Sequence, residues 1–218
     1  MTLAVAMGLR HGLDPDHLSV IDGLSRLRPS RWNGLLFAAG HGLLVTLLAV
    51  GAGRMTAQFI GPYAPWLLIL VGMVNLWRLM TPGTHSHSYF SQLTRLGPLL
   101  LGIVFGAGFE TASQLSALVL AADMNPWVLG GSFSAGMILV DGVDGYLSSR
   151  MQISAMAGEG RAVWASRALG ISVVVFSFAL GGAELFELDV DRIALPLGCL
   201  LFVYVIGLRI WSLRAPRP

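Results

Sequence analysis

Two histidines and two aspartates lie within seven residues of one another near the start of the chain: His11, Asp14, Asp16 and His17. Imidazole suits Ni, Zn, Cu and Co, whereas carboxylates alone suit Mg and Ca, so this mixture indicates a borderline transition metal. Pro15 lies among them, and a proline inside a helix removes one backbone hydrogen bond and clashes with the preceding turn. We therefore expect a broken helix in which His11, Asp16 and His17 converge, and in which freed backbone carbonyls can also face an ion.

The chain that carries these residues is too apolar for an ordinary soluble domain. Its 218 residues are 55% hydrophobic and only 12% charged, whereas about a quarter of the residues of a soluble domain are charged. So much apolar surface also excludes disorder, and Cys199 alone cannot form an intrachain disulfide. The net charge of +2, with arginines scattered between apolar runs, disfavours nucleic acid as a partner. What remains is a multi-span protein of the lipid bilayer.

Seven segments are apolar enough, and close enough to about 20 residues, to cross a bilayer as helices. Pro and Gly mark the joints between them. The predicted fold is therefore all-α, a polytopic bundle of about seven transmembrane helices in a single domain that covers residues 1–218. The predicted spans are Thr2–Leu24, Trp32–Gly53, Ala64–Met80, Leu96–Ala122, Pro126–Ser149, Val163–Gly182 and Ile193–Trp211.

Four of these spans carry ionisable groups at depth. Besides the cluster in the first span, His41 lies in the second, Glu110 and Gln114 lie in the fourth, and Asp141 and Asp144 lie in the fifth. A charge at the bilayer centre costs about 2.5–3.5 kcal/mol, so these groups must be satisfied by partners or line a polar cavity. Gln114 is one turn from Glu110 and can reach the same site. Asp141 and Asp144 share a helix face, either as ligands or as a structural network.

Arg10 lies beside the cluster in the first span. We expect it to pair with Asp14 or Asp144, and either a structural ion pair or a gating one is consistent with the sequence.

Eleven of the 14 arginines fall on one side of this arrangement, and three, Arg10, Arg54 and Arg192, fall on the other. The positive-inside rule places the arginine-rich side in the cytoplasm. We therefore expect a protein of the cell (inner) membrane with its amino terminus outside and its carboxyl terminus in the cytoplasm, which requires an odd number of spans. The eleven are Arg26, Arg28, Arg31, Arg78, Arg95, Arg150, Arg161, Arg167, Arg209, Arg214 and Arg217.

The two halves of the chain resemble each other weakly. Spans one to three map onto spans four to six, and because three is odd the second copy must run inverted, as in many secondary transporters. The predicted repeats are about 2–80 and 96–182, with an extra helix at about 193–211, and the substrate belongs between the first-span cluster and Glu110. The matches are Gly8, Gly12, Asp16 and Ser19 with Gly102, Gly106, Glu110 and Ser113, and Phe37, Ala39, Gly40 and His41 with Phe133, Ala135, Gly136 and Met137.

Four segments, in this order along the chain, resemble motifs of the nickel/cobalt transporter (NiCoT) family. Residues 11–17 resemble its His-x4-Asp-His signature, and residues 40–41, Gly-His, resemble its second motif. Residues 108–112, GFETA, resemble Gly-Phe-Asp-Thr-Ala, and residues 136–145, GMILVDGVDG, resemble Gly-Met-x-Leu-x-Asp-Thr-x-Asp-Gly. Because the chain begins almost at the first motif and departs from several motif residues, it resembles a short, divergent branch similar to the urease-linked nickel permeases.

The resemblance implies a secondary permease that imports Ni²⁺ or Co²⁺, with no enzymatic activity and no resident cofactor. It implies that His11, Asp16 and His17 handle the metal and that His41 tunes which ion is accepted. It also implies a metallochaperone of urease or hydrogenase maturation as a candidate partner. The full set of candidate metal residues is His11, Asp14, Asp16, His17, His41 and Glu110, with Arg10, Gln114, Asp141 and Asp144 in support.

Two other functions stay open at this point. A metal-efflux permease of related fold is disfavoured because its histidine-rich cytoplasmic loop is reduced here to His85 and His87, which form either a weak landing site or an ordinary polar loop. A non-transporting accessory protein that hands metal to a maturation partner is the second alternative. An intramembrane metalloprotease would need His-Glu-x-x-His, and a lysine-free chain cannot contain the Gly-Lys-Ser/Thr of a nucleotide-binding loop.

The arginine bias yields a prediction about orientation. On a Cys199→Ser background, an impermeant thiol reagent applied to intact cells should label a cysteine added near Glu187 and should not label one added near Pro216. The reverse labelling pattern would show that the orientation and the number of spans are wrong.

Overall fold

The computed structural model describes residues 1–50, 63–80, 97–108, 125–188 and 191–214. The regular structure of these residues is α-helical, which confirms the predicted all-helical membrane bundle. The helices are α1 (Thr2–His11), α2 (Pro15–Leu27), α3 (Asn33–Ala49), α4 (Ala64–Met80), α5 (Gly97–Gly108), α6 (Pro126–Met156), α7 (Gly160–Leu185) and α8 (Asp191–Leu213).

Three stretches are long and apolar enough to cross a membrane by themselves: Pro126–Met156, Gly160–Leu185 and Pro196–Leu213. Shorter apolar stretches lie in α3, α4 and α5. The fourth predicted span is described only from Gly97 to Gly108, so the candidate site residues Glu110 and Gln114 lie outside the described residues, as do His85 and His87.

Several spans differ from their predicted bounds by a few residues, and the largest change is in α6. α6 continues to Met156, beyond the predicted end at Ser149, because no residue that breaks a helix follows until Gly158, whose φ is 82°. α7 begins at Gly160 rather than Val163, so the connection between the two helices is a tight turn.

The first span is broken where the sequence predicted a break. α1 ends at His11 and α2 begins at Pro15, after a turn that contains Gly12 and Asp14. A proline is well tolerated at the first position of a helix, because that residue's N–H has no partner within the helix and the ring presets φ. The turn therefore separates two half-helices within the first predicted span.

Glycines bring the backbones of α1 and α6 into direct contact. A Cβ atom added at Gly8 would overlap the carbonyl oxygen of Phe133, and one added at Gly136 would overlap the carbonyl oxygen of Val5. Small residues at such crossings are a general device of membrane helices, because lipid supplies no hydrophobic drive for their association.

The contact between α3 and α5 reproduces this arrangement. A Cβ atom at Gly102 would overlap the carbonyl oxygen of Phe37, and one at Gly40 would overlap that of Leu99. Each contact has its counterpart in the α1–α6 pair at the offsets of 94 and 96 found in the sequence. These reciprocal contacts are those that an inverted repeat would produce, and the boundaries of the repeat stay a prediction.

The helices α2, α7 and α8 pack together through side chains rather than backbone. Leu18 of α2 lies in one buried apolar cluster with Leu169 of α7 and with Leu201 and Val205 of α8. Large apolar side chains also remain exposed on the outer faces of the helices, among them Leu139, Val143, Ile171, Leu200 and Val203. An outer surface of this kind fits contact with lipid.

The glycine contacts predict a sharp contrast between two positions in α6. Gly136→Ala should lower the free energy of unfolding by about 1–3 kcal/mol, because the added methyl group meets backbone of α1 that cannot move aside. Gly131→Ala, with nothing within 4 Å of the added Cβ atom, should leave stability unchanged or raise it by up to about 1 kcal/mol. Unfolding curves of the purified variants in detergent measure both, and equal effects would contradict the close approach.

Candidate metal site

Three imidazole rings meet at the break in the first span. His11 is the last residue of α1, His17 lies in the first turn of α2, and His41 lies in α3. The ring centroids of His11 and His17 are 4.7 Å apart, those of His17 and His41 are 4.7 Å apart, and those of His11 and His41 are 5.0 Å apart. Each ring offers a nitrogen within 4.8 Å of the other two, and His17 and His41 are fully buried.

Carboxylates fix the orientation of two of these rings. The Nδ1 atom of His11 lies 2.8 Å from Oδ2 of Asp14, and the Nδ1 atom of His17 lies 3.0 Å from Oδ2 of Asp141. A carboxylate can only accept here, so each Nδ1 atom carries a proton and donates it, and in the neutral ring this leaves a lone pair on Nε2. A carboxylate behind a histidine fixes its tautomer and raises its basicity as a metal ligand, an arrangement found in many metal sites.

The third ring closes the group through a nitrogen–nitrogen contact. Nε2 of His41 lies 3.1 Å from Nε2 of His11. Since Nε2 of His11 carries a lone pair, Nε2 of His41 is the donor in this contact. A metal ion between the two rings would take the place of that proton, and His41 would then carry its proton on Nδ1.

The spacing of the rings is close to what a single ion requires. An imidazole nitrogen lies about 2.1 Å from a bound first-row metal ion, so two nitrogens on one ion are at most about 4.2 Å apart. Three nitrogens spread evenly around one ion are at most about 3.6 Å apart, so a separation of up to 4.8 Å calls for a contraction of about 1.2 Å or less. Within the described residues, Nε2 of His17 has no hydrogen-bond partner although it is buried, so it is available as a ligand.

Aromatic side chains seal the histidine cluster on two sides. Phe37 meets His17 edge to face, with ring centroids 5.0 Å apart, and Phe133 lies 5.6 Å from His11. Both phenylalanines are fully buried. An apolar wall of this kind lowers the local dielectric, which strengthens the carboxylate–imidazole pairs inside it.

Asp16 lies beside the cluster without joining it. The predicted convergence of His11 and His17 is present, but the residue that completes the group is His41 rather than Asp16. Asp16 is in the first turn of α2, where the positive end of the helix dipole favours a carboxylate. Its side chain is buried, and Oδ2 has no hydrogen-bond partner in the described part of the chain.

The expected pairing of Arg10 with Asp14 or Asp144 requires a correction. Asp14 accepts a hydrogen bond from Nδ1 of His11, and Asp144 forms an ion pair with Arg209 of α8. Arg10 is exposed. It lies about 100° around α1 from His11, so it is not on the face that carries the histidine.

Sequence reasoning missed a second buried polar group, next to the histidine cluster. Arg209 is fully buried, and its Nη2 atom lies 2.9 Å from Oδ1 of Asp22, while its Nη1 atom pairs with Asp144. Asp22 also accepts from Nε of Arg26 at 2.9 Å and from Oγ of Ser148 at 3.0 Å. We refer to Asp22, Asp144 and Arg209 as the ion-pair cluster.

Two signals in the sequence could have found this group. Asp22 falls inside a predicted span, five residues after His17, and Arg209 falls inside the last span, yet Arg209 was counted with the arginines of the cytoplasmic tail. With Arg209 buried in the bundle, ten arginines rather than eleven remain on the arginine-rich side, against three on the other.

Comparisons with known proteins agree with the resemblance in the sequence. Residues 82–211 match the family described as NicO, high-affinity nickel-transport protein. This match is more than half of the chain, although it begins after the histidine cluster. No solved structure matches the chain.

Curated relatives extend the similarity over the first helices. Hydrogenase nickel incorporation protein HupN of Bradyrhizobium diazoefficiens is 29% identical over an alignment that covers 90% of this chain and 66% of its own length. Nickel transporter NixA of Staphylococcus aureus is 25% identical, covering 88% and 73%, and nickel transporter NicT of Mycobacterium tuberculosis is 26% identical, covering 87% and 67%. The chain thus spans about two thirds to three quarters of the length of these relatives.

Proposed function

We propose, from the premise that the chain belongs to the NicO family of high-affinity nickel-transport proteins, that it is a permease that carries Ni²⁺ into the cell through the histidine cluster. The observation that carries this proposal is the convergence of His11, His17 and His41 at a break in a membrane helix, with carboxylates behind two of the rings. Membership of this family also makes the chain a transport protein rather than an enzyme.

The ligand set suits an ion that must be bound and then released. Three imidazole nitrogens select for a borderline transition metal, and Ni²⁺ accepts mixed nitrogen and oxygen ligands. Two carboxylate oxygens are candidates for the oxygen ligands. Oδ2 of Asp16 and Oδ1 of Asp141 are buried without hydrogen-bond partners among the described residues. No thiolate is part of the cluster, so the ion is not held by the softest and tightest ligands.

The membrane potential is sufficient to drive the ion inward. A divalent cation that moves into the cell gains about 4.6 kcal/mol per 100 mV. This proposal places the protein in the cell (inner) membrane, with the amino terminus outside and the carboxyl terminus in the cytoplasm, as the arginine bias predicts.

Cobalt is an alternative cargo, since imidazole and carboxylate ligands bind Co²⁺ as well. Competition between Ni²⁺ and Co²⁺ in one uptake experiment measures which ion the protein prefers. The printed name of HupN connects that relative with nickel incorporation into hydrogenase. A maturation protein that receives the ion on the cytoplasmic side is therefore part of the proposal for this chain.

Uptake by sealed proteoliposomes tests the proposed transport. The unmodified chain should carry radioactive nickel into the lumen, and His17→Ala should reduce uptake to the level of empty vesicles, because it removes a central ligand. Ser132→Ala is the matched control, since this buried hydroxyl bonds only its own helix at Val128 and should not affect uptake. Nickel that binds to the vesicles without entering them would instead indicate an accessory protein that delivers metal, and near-normal uptake by His17→Ala would refute the site.

The carboxylate behind His17 yields a separate prediction about affinity. Asp141→Asn keeps a hydrogen-bond acceptor but loses the negative charge, so nickel affinity should fall about 10–100-fold while the protein stays folded. Equilibrium dialysis of the purified protein in detergent measures this change. An unchanged affinity would mean that Asp141 serves the packing of α6 and not the tuning of the ligand.

A further inference from the structure

The interface between α2 and α6 contains a column of polar side chains. At one level His17 of α2 meets Asp141 of α6, and at the next level Asp22 of α2 meets Ser148 of α6. Asp22 lies about 7.5 Å farther along α2 than His17, at 1.5 Å per residue. Nearer its start, α6 packs against α1 and α3 through glycines and through the apolar side chains of Leu129, Phe133 and Met137, so the column is a polar seam where that packing is apolar.

The ion-pair cluster closes this seam on the side of the arginine-rich loops. α2 ends at Leu27 beside Arg28, and α6 runs past Arg150, so both helices lead from the histidine cluster toward that side. Arg209 reaches across the seam from α8 and bonds Asp22 of α2 and Asp144 of α6 at once. An ion that leaves the histidine cluster along the seam therefore meets the ion-pair cluster first.

The charges of this cluster suit a contact that a divalent ion can open. Two carboxylates, Asp22 and Asp144, hold the guanidinium of Arg209, and Asp22 also pairs with Arg26. A divalent cation that enters the seam attracts each carboxylate more strongly than one guanidinium does, and it repels Arg209. A small cleft between α2, α7 and α8, lined by Ser19 and Asp22 among others, lies beside the cluster.

We propose that Arg209, Asp22 and Asp144 form an ion-pair latch that closes the route from the histidine cluster to the arginine-rich face, and that the departing divalent ion opens it by competing with Arg209 for the two carboxylates. This inference rests on the proposed transport function. It assigns the extra helix α8, outside the predicted six-helix repeat, the task of holding α2 of the first repeat against α6 of the second.

Accessibility of the cleft beside Asp22, the residue that Arg209 of α8 bonds, tests the latch without any metal present. On a Cys199→Ser background, Ser19→Cys places a thiol in the cleft, where Ser19 itself is buried. An impermeant maleimide applied from the arginine-rich face should react slowly with this thiol. Arg209→Gln should raise the rate at least about tenfold, because a latch that no longer holds leaves the open state populated. Arg209→Lys, which keeps a positive charge, should restore much of the protection.

A second thiol separates opening of the latch from general unfolding. Ser132→Cys lies in the part of α6 that packs through glycines, and it should stay unreactive in all of these backgrounds. Should Arg209→Gln fail to fold because two carboxylates are stranded, the triple variant Asp22→Asn, Asp144→Asn, Arg209→Gln removes the three charges of the ion-pair cluster together and keeps hydrogen-bonding groups. Arg26, which also pairs with Asp22, keeps its bonds to Ser166. This variant should also expose the thiol at position 19.

Transport and binding complete the experiment. The triple variant should bind nickel within about threefold of the unmodified chain, since the three imidazoles are untouched, and should lose at least about tenfold in proteoliposome uptake. A folded triple variant that protects the thiol at position 19 and transports nickel normally would overturn the latch and reduce the ion pairs to packing. A chain that binds no nickel would refute the proposed function. Because the labelling uses no nickel, it would still decide whether the ion pairs close this face.

Discussion

The break between His11 and Pro15 is the constraint on which the other features of the site depend. In a bilayer no water reaches the free backbone groups at a helix end, so an interruption must satisfy them locally. The turn does so tightly: the backbone N–H of Gly12 donates to Gly8, that of Leu13 to Arg10 and that of Asp14 to His11, each at 3.0 Å. The first predicted span is thereby divided into two half-helices that meet at the turn.

The position of the break determines which side chains can meet. On an unbroken helix His11 and His17 would lie about 9 Å apart along the axis. Across the turn their ring centroids are 4.7 Å apart, and His41 of α3 lies close to both. Three imidazoles in contact, two of them fully buried, need charges behind them, and α6 supplies one through Asp141. All three imidazoles thus come from the first predicted repeat, whereas the carboxylate of Asp141 behind His17 comes from the second.

The sequence was informative where a residue type has one strong physical consequence. Pro15 predicted the break, and the long apolar segments predicted the helical bundle. It was less informative about partners across the bundle. Nothing in the order of residues indicates that Asp144 meets Arg209 rather than Arg10, because that depends on how α8 is rotated against α6.

The same limitation explains the place of Asp16. The break was expected to bring Asp16 to His11 and His17, but the first turn of α2 and the helix dipole determine where this carboxylate lies. The close approach of α1 to α6 was readable only as a weak alignment of glycines, since the spacing of Gly8 and Gly136 carries no information about which helix lies opposite.

The lengths of the two half-helices have an electrical consequence. α1 has 10 residues and α2 has 13, so they are about 15 and 20 Å long. In the proposed transporter these half-helices cross a hydrocarbon layer about 30 Å thick, which puts the histidine cluster near its middle. Under that proposal, a divalent ion that reaches the cluster from outside would have crossed about half of the transmembrane field, worth about 2.3 kcal/mol per 100 mV. At about 100 mV this would raise occupancy from dilute external solution about fiftyfold. The proposed function therefore implies an affinity that depends on voltage, with capture of scarce ions in energised cells and weak binding when the potential collapses.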